Sequence, residues 1–329
     1  MTVEDAAYIL GKSQAAIYAE LKSRHLNFSS LDNLFYFGHQ TSQKLFQFSF
    51  KPKVVVFQIL KGGTGKTSLA FELAVRASLY GAKVLCIDLD QQANLTQAFN
   101  QSAETVPVMV DSLAEGYSLL DSFLSIEEGL DLLPSRIENA LLDEVIRTKQ
   151  FALNKVYRDP LQILKKTYDL IVMDCPPSLG QSVAAAALAA DWMIAPVIPE
   201  KFALSGLNAT YQSIEELQTA FGVEIPFKIV LNKFDPEDSQ SKETVTWLKQ
   251  HADYQDKILE AYLRLSPIIP KTLLQTESIF ESVWTNPVKE DLDQLTRIIL
   301  GLQRSAPIPA TFASSSSSKL SAKESLAFC

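Results

Sequence analysis

Cysteine is scarce in this chain of 329 residues: Cys86, Cys175 and Cys329 lie far apart. They offer neither the even count of a disulfide framework nor the close spacing of a zinc or cluster site, and read as reduced thiols. Long apolar runs are also missing. None reaches the ~18–20 residues that span a bilayer, and residues 1–30 lack a basic stretch followed by an apolar one, so the expectation is a cytoplasmic protein. Positive charge is not in excess: 30 Lys and Arg stand against 38 Asp and Glu, for a net −8. That excludes a surface that is basic all over, as in proteins that coat nucleic acid, but leaves room for local basic patches. One glycine is missing where it matters. The general phosphate-loop pattern Gly-x-x-x-x-Gly-Lys-Ser/Thr needs glycine at position 60, and Leu60 stands there.

What is present describes a filled globular interior, with 47% hydrophobic and 21% charged residues. Short apolar runs read as buried strands at Lys53 to Ile59, Val84 to Asp88, Leu130 to Leu133, Leu170 to Asp174, Trp192 to Ile198, Phe227 to Leu231 and Ile258 to Leu263. Helix-like segments fall between and after them at Arg136 to Ile146, Leu179 to Ala190, Leu204 to Phe221, Lys242 to Gln250 and Asp291 to Leu302. This alternation predicts an α/β fold, a mostly parallel twisted sheet with helices on both faces, whose ligand sits beyond the carboxyl ends of the strands. Three parts follow: a head over residues 1–50, the α/β domain over 51–304, and a disordered Ser-rich tail over 305–329, with an unbroken serine run from Ser314 to Ser318. Residues 1–53 carry six Lys or Arg against four Asp or Glu, a charge of +2, so the rest of the chain holds −10.

Between the first of those strands and a helical pattern lies Lys61-Gly62-Gly63-Thr64-Gly65-Lys66-Thr67. Gly62, Gly63 and Gly65 permit positive φ and close approach, so that successive N–H groups can ring phosphates. A helix starting near Lys66 and Ser68 adds its positive end. Lys66 would neutralise the β- and γ-phosphates, and the Thr67 hydroxyl would ligate Mg²⁺.

This segment resembles the deviant Walker A ATPases, the family of ParA, Soj and MinD, whose mark is a second lysine at the place of Lys61. The resemblance covers about residues 53–303 and implies a P-loop fold that takes ATP and Mg²⁺. It also implies that Lys61 crosses a dimer interface to the nucleotide of the other subunit. Asp88-Leu89-Asp90-Gln91-Gln92-Ala93-Asn94 is similar to the family's Asp-x-Asp-Pro-Gln-x-Asn box, with Gln91 in place of proline. The match implies that Asp90 orients the attacking water and that Asp88 lies at the Mg²⁺ shell or in the switch. Asp174, ending an apolar strand before Cys175-Pro176-Pro177, has the Walker B arrangement and would hold Mg²⁺ through water.

Asn232-Lys233-Phe234-Asp235 matches the guanine-reading pattern of small GTPases letter for letter. In the deviant Walker family an asparagine at this place contacts adenine, so the reading favours ATP, with Asn232, Lys233 and Pro270 at the base. Lys271 falls where partition ATPases carry a basic residue used on nonspecific DNA; a solvated lysine is the competing reading.

In the head, two short helical patterns break at Gly11, with Ser13 placed to cap the second. This reads as a helix-turn-helix, similar to excisionase or MerR-like heads. Gln14 would reach base edges, Lys12, Lys22 and Arg24 would meet phosphates, and Leu34 to Phe37 with Leu45 to Phe50 would form a wing. A helical hairpin docked on the ATPase is the alternative. Function follows from the resemblance: a nucleoid-associated partition ATPase that forms a homodimer with ATP, binds DNA nonspecifically and hydrolyses slowly under a ParB-like partner. A MinD-like membrane-positioning ATPase would need a basic amphipathic C-terminal helix, which the segment ending at Cys329 does not supply. An ATP-gated repressor remains the reading that the head favours. A reductase is disfavoured for want of a cluster-ligating cysteine pair.

Overall fold

The computed structural model describes residues 1–31, 34–200, 203–281 and 286–302. The proposed tail over 305–329 lies outside them, and with it Cys329.

The main sheet is built from β3 (Lys53–Phe57), β4 (Val84–Asp88), β5 (Leu124–Glu127), β6 (Leu130–Leu133), β7 (Leu170–Asp174), β8 (Trp192–Val197), β9 (Phe227–Phe234) and β10 (Ile258–Arg264). Their spatial order is β10-β9-β8-β3-β7-β4-β6-β5, parallel throughout except for the antiparallel β5–β6 edge. The central strands β3, β4 and β7 are apolar along their middles because both faces are covered, with charge only at Lys53 at the start of β3 and at Asp88 and Asp174 at the ends of β4 and β7. In β3, Val55 and Phe57 look to one core, and Val54 and Val56 to another; β4 and β7 alternate the same way.

The first face is covered by α4 (Lys66–Leu79), α12 (Ile268–Leu274) and α13 (Pro287–Leu300). On the other lie α6 (Met109–Glu115), α7 (Leu142–Thr148), α8 (Arg158–Leu164) and α9 (Gln181–Ala189), followed by α10 (Ala203–Phe221) and α11 (Ser239–Gln250) toward β8 and β9. The short α5 (Asn94–Ala98) follows β4. All seven expected strands and the doubly covered sheet are present. The β5 edge was not legible: its half-buried Leu124 and Ile126 alternate with exposed Ser125 and Glu127, so no apolar run marks it.

The head consists of α1 (Val3–Leu10), α2 (Gln14–Ser23), the β1 (Ser29–Leu31) and β2 (Leu34–Tyr36) hairpin, and α3 (His39–Phe46). Gly11, at φ 64°, ends α1 in the left-handed region, and the Ser13 hydroxyl accepts from the Ala16 N–H to start α2. The turn expected between the two helices is therefore there. The wing differs. Leu34 to Tyr36 is a strand, but its partner is 29–31; Leu45 and Phe46 end a helix instead. Phe46 and Phe48 stack at 5.3 Å and both reach the fully buried ring of Tyr80, the residue that caps the end of α4, so tertiary burial overrides the β-propensity of that aromatic run.

The head and the α/β domain share a core. Val3, Ala6, Ile17, Leu21, Phe37 and Phe46 pack with Tyr80 and the ends of α4 and α13. Beneath it the Arg76 guanidinium, 3% exposed, donates to Asp293 at 2.6 Å and to Asp5 of the head at 3.3 Å, and the Tyr80 hydroxyl donates to Asp293 at 2.7 Å. The head is a docked layer of the molecule.

Candidate nucleotide site

Five parallel strands, β7, β4, β3, β8 and β9, end at the same rim, and the Gly-rich loop leaves β3 there. Gly63 (φ 74°) and Gly65 (φ 93°) adopt the left-handed conformation that the loop turn requires; Gly62 does not, so positive φ is needed at two of the three glycines expected to supply it. Gly65 serves as the N-cap of α4, which puts Lys66, Thr67 and Ser68 in the first turn, where N–H groups lack intrahelical acceptors.

Lys66 is buried, its ammonium 3.3 Å from the Lys61 carbonyl. Burial pulls it below the usual lysine value, while Asp174 and Asp90 act in the opposite direction. The Thr67 hydroxyl donates to Asp174 Oδ2 at 2.6 Å. Asp174 and Asp88 are register partners on β7 and β4, so two buried carboxyls lie side by side. Burial raises the pKa of both carboxyls well above the usual carboxylate value, to about 7 for Asp88 and about 8 for Asp174; the neighbouring Asp88 and Asp90 carboxylates add to the effect at Asp174, where Thr67 and Lys66 oppose it. A cation at this point would relieve that cost.

The two aspartates are not equivalent. Asp88 already accepts from the Asp90 N–H at 3.1 Å and from the Thr96 N–H and hydroxyl at 2.9 and 2.8 Å, which anchors α5. Asp174 Oδ1 is buried with no hydrogen-bond partner. Gln58 Oε1 and Thr64 Oγ1 share that condition, so three of the six such atoms among the described residues gather around the loop. A hydroxyl and a carboxylate oxygen lacking a donor are ligands suited to a hard cation.

Asp90 is buried at the end of the β4 strand segment, where its Oδ1 accepts from the Gln92 N–H at 3.0 Å and its carbonyl accepts from Ser135 at 2.7 Å. An Asx turn thus holds the segment that lacks the usual proline. Lys61 sits on the exposed rim, 3.3 Å from Glu200. Asn232 and Lys233 reach the loop: their side chains donate to the Thr64 and Gly63 carbonyls at 2.7 and 3.0 Å.

Other expected residues lie apart from this cluster. Pro270 and Lys271 are exposed on α12, which packs on the sheet through Ile268, Ile269 and Leu273. Lys12, Gln14, Lys22 and Arg24 belong to the head. Gln14 and Lys22 are exposed, whereas Lys12 and Arg24 both pair with Glu20, at 2.6 and 2.9 Å, and Arg24 also donates to the Lys44 carbonyl. Lys22 lies over the Tyr18 ring at 4.4 Å. The thiols of Cys86 and Cys175 are fully buried, and burial pushes both well above the usual thiol value, which fits no redox role.

Several residues escaped sequence reasoning. Gln58 donates to the Ser178 carbonyl at 2.6 Å and ties β3 to the segment after Asp174. Thr210 receives the Leu60 N–H at 2.9 Å. Gly206 is required because a Cβ there would lie 2.9 Å from the Leu60 carbonyl oxygen. Only the last left any sequence trace, as a glycine inside a helical pattern.

A family described as AAA domain matches residues 52–227, more than half of the chain and the whole region from β3 to the start of β9. The chain belongs to that family. Among its relatives, a virulence plasmid ParA family protein of Chlamydia psittaci is 27% identical over 75% of this chain and 94% of its own length. The sporulation initiation inhibitor protein Soj of Bacillus subtilis is 26% identical over 69% and 87%. A plasmid partition protein structure from Borrelia burgdorferi superposes with a TM-score of 0.60 at 25% identity, covering 77% of this chain and all of that one. The ATP complex of Cyanothece McdA reaches 0.70 at 22% identity over 79% of this chain and all of that one, a likeness of fold. This is a ParA-type P-loop ATPase. Residues 1–51, with the head, lie before the matched region.

Proposed function

We propose that this ParA-type ATPase is a partition ATPase in which ATP gates self-association and DNA binding. The observation that carries the reading is the phosphate loop with its second lysine, Lys61 on an exposed rim, beside Thr67 hydrogen-bonded to an Asp174 that has one oxygen unpartnered.

Lys66 and the first-turn N–H groups of α4 hold the β- and γ-phosphates. Thr67 and Asp174 would hold Mg²⁺, which when bound would neutralise charge developing on the transferred phosphoryl group. Asp90 orients the attacking water with the carboxylate oxygen that does not hold Gln92. Lys61 exchanges its exposed pair with Glu200, weak at such a surface, for the nucleotide of a second subunit. The dimer presents basic residues such as Lys271 to DNA phosphates, and a ParB-like partner accelerates an otherwise slow hydrolysis. Nucleoid association follows from that binding.

The test is sedimentation and DNA binding with Mg²⁺–ATP against Mg²⁺–ADP. Dimerisation with ATP alone, and DNA affinity that falls steeply with salt, are the expected results. Binding to anionic vesicles with none to DNA would sink the partition reading in favour of membrane positioning. A repressor reading draws support from the exposed α2 face and is separated by comparing operator with random DNA.

A further inference from the structure

We propose that Ser135 is a positioning residue for hydrolysis: its buried hydroxyl holds the backbone of Asp90, and through that backbone the carboxylate. This rests on the reading that Asp90 orients the attacking water.

Ser135 lies in the turn after β6 and is 1% exposed. Its hydroxyl donates to the Asp90 carbonyl at 2.7 Å, and its N–H donates to the Thr96 hydroxyl at 2.9 Å. The Thr96 hydroxyl donates in turn to Asp88 Oδ2 at 2.8 Å. Behind Ser135 stands Asn139, 3% exposed, whose Nδ2 donates to the Ser135 hydroxyl at 2.7 Å and whose Oδ1 accepts the Val110 N–H at 3.2 Å. A backbone N–H can only donate, so Val110 fixes which end of the Asn139 amide faces Ser135. With that amide donating to its oxygen, the Ser135 hydroxyl turns its single proton to Asp90. A chain of buried groups thus runs from the start of α6 to the Asp90 backbone.

Asp90 to Ala93 form a turn closed by the Ala93 N–H on the Asp90 carbonyl at 2.9 Å. The Asp90 carboxylate belongs to the same turn, through the Gln92 N–H at 3.0 Å. Ala93 takes φ 53°, a conformation that costs a residue with a Cβ, and Gln91 leaves φ after Asp90 free where proline would fix it. Among the described residues, only the Ser135 hydroxyl reaches the Asp90 carbonyl from outside the turn. Where that carbonyl is held decides where the turn and its carboxylate stand. The Asp88 contacts run through the Ser135 N–H and Thr96 instead, so loss of the hydroxyl alone leaves them in place. Proline at 91 is an independent way to stiffen the turn. Gln91 and Gln92 keep negative φ, which makes this a type I turn whose second position suits proline, and the Gln91 N–H has no partner among the described residues to lose.

The test measures single-turnover ATP hydrolysis, ATP affinity with Mg²⁺, and amide hydrogen exchange over residues 89–97 in the full chain. Ser135→Ala should lower the hydrolysis rate about tenfold, leave ATP affinity within about twofold and speed exchange of the Ala93 N–H. Adding Gln91→Pro to Ser135→Ala should restore most of the rate, which a merely structural loss would not allow. An unchanged rate for Ser135→Ala overturns the proposal, and so does a joint loss of rate and affinity that Gln91→Pro leaves unrestored. Should Ser135→Ala fail to fold, Asn139→Ala carries the test, because it keeps the hydroxyl but removes the donor behind it. A smaller loss of rate at unchanged affinity is then expected, and an unchanged rate overturns the proposal. Hydrolysis by Asp90→Ala at the wild-type rate would instead remove the reading of Asp90 beneath it.

Discussion

Thr67 and Asp174 show how a few polar atoms define the site. Their hydrogen bond of 2.6 Å leaves Asp174 Oδ1 without a donor in a fully buried position, a costly arrangement unless a cation completes it. Asp174→Ala should weaken Mg²⁺ affinity by ~10–100-fold, in the range for partners that hold a metal through water, while nucleotide still binds; a Mg²⁺ titration of hydrolysis checks this. Lys61→Ala should bind Mg²⁺–ATP near normally yet stay monomeric, which sizing with and without nucleotide will show. Glu72 carries a separate residue-scale expectation. It is buried on α4, accepts from Ser278 at 2.6 Å and from the Ile279 N–H, and burial, with Glu281 adding, pushes it up to about 7 while these hydrogen bonds and Lys289 oppose. The folded state thus retains a proton that the unfolded chain loses near its ordinary value of 4.5. Its contribution is fully present below that value and is lost as pH rises toward 7. Across that window wild-type stability should fall relative to Glu72→Gln by up to ~1.4 kcal/mol per pH unit, read from paired denaturation curves.

At the scale of elements, α4 joins regions that look unrelated in sequence. Its first turn follows directly on the Gly-rich loop, Glu72 holds the segment leading toward α13, Arg76 binds Asp293 and Asp5, and Leu79 and Tyr80 enter the core of the head. Asp293→Ala would leave the buried Arg76 guanidinium with the more distant Asp5 as its remaining carboxylate partner, at 3.3 Å. The expected destabilisation is ~3–5 kcal/mol by chemical denaturation, with faster proteolysis between α3 and β3. The strands of the main sheet were legible because buried parallel strands read as unbroken apolar runs. The α1–α2 turn was legible because Gly11 and Ser13 carry local cap chemistry. The second wing segment was misread because Phe46 and Phe48 answer to Tyr80, 32 residues or more away, and no local pattern announces that contact.

For the molecule as a whole, the docked head changes how its role must be tested. Removing residues 1–50 would uncover Tyr80, Leu79 and the end of α13, so the truncated protein should melt lower and aggregate, whatever its affinity for DNA. Substitutions on the exposed face of α2 avoid this. Lys22→Ala should lower DNA affinity on all sequences and reduce the salt slope by about one, while Gln14→Ala should act on operator alone. Equal loss on random and operator DNA for Gln14→Ala would remove base reading from the head.

By itself the sequence determined the doubly covered parallel sheet, the phosphate loop and the order of its acidic partners, because strand burial and loop geometry depend on residues adjacent in the chain. Tertiary structure alone decided which of two neighbouring aspartates keeps an oxygen unpartnered, since that depends on Thr96 claiming Asp88 and Thr67 reaching Asp174. It alone decided that Asn232 faces the loop and that the head shares a core with α4. Those outcomes are set by contacts between residues tens to hundreds of positions apart, where no period or motif extends.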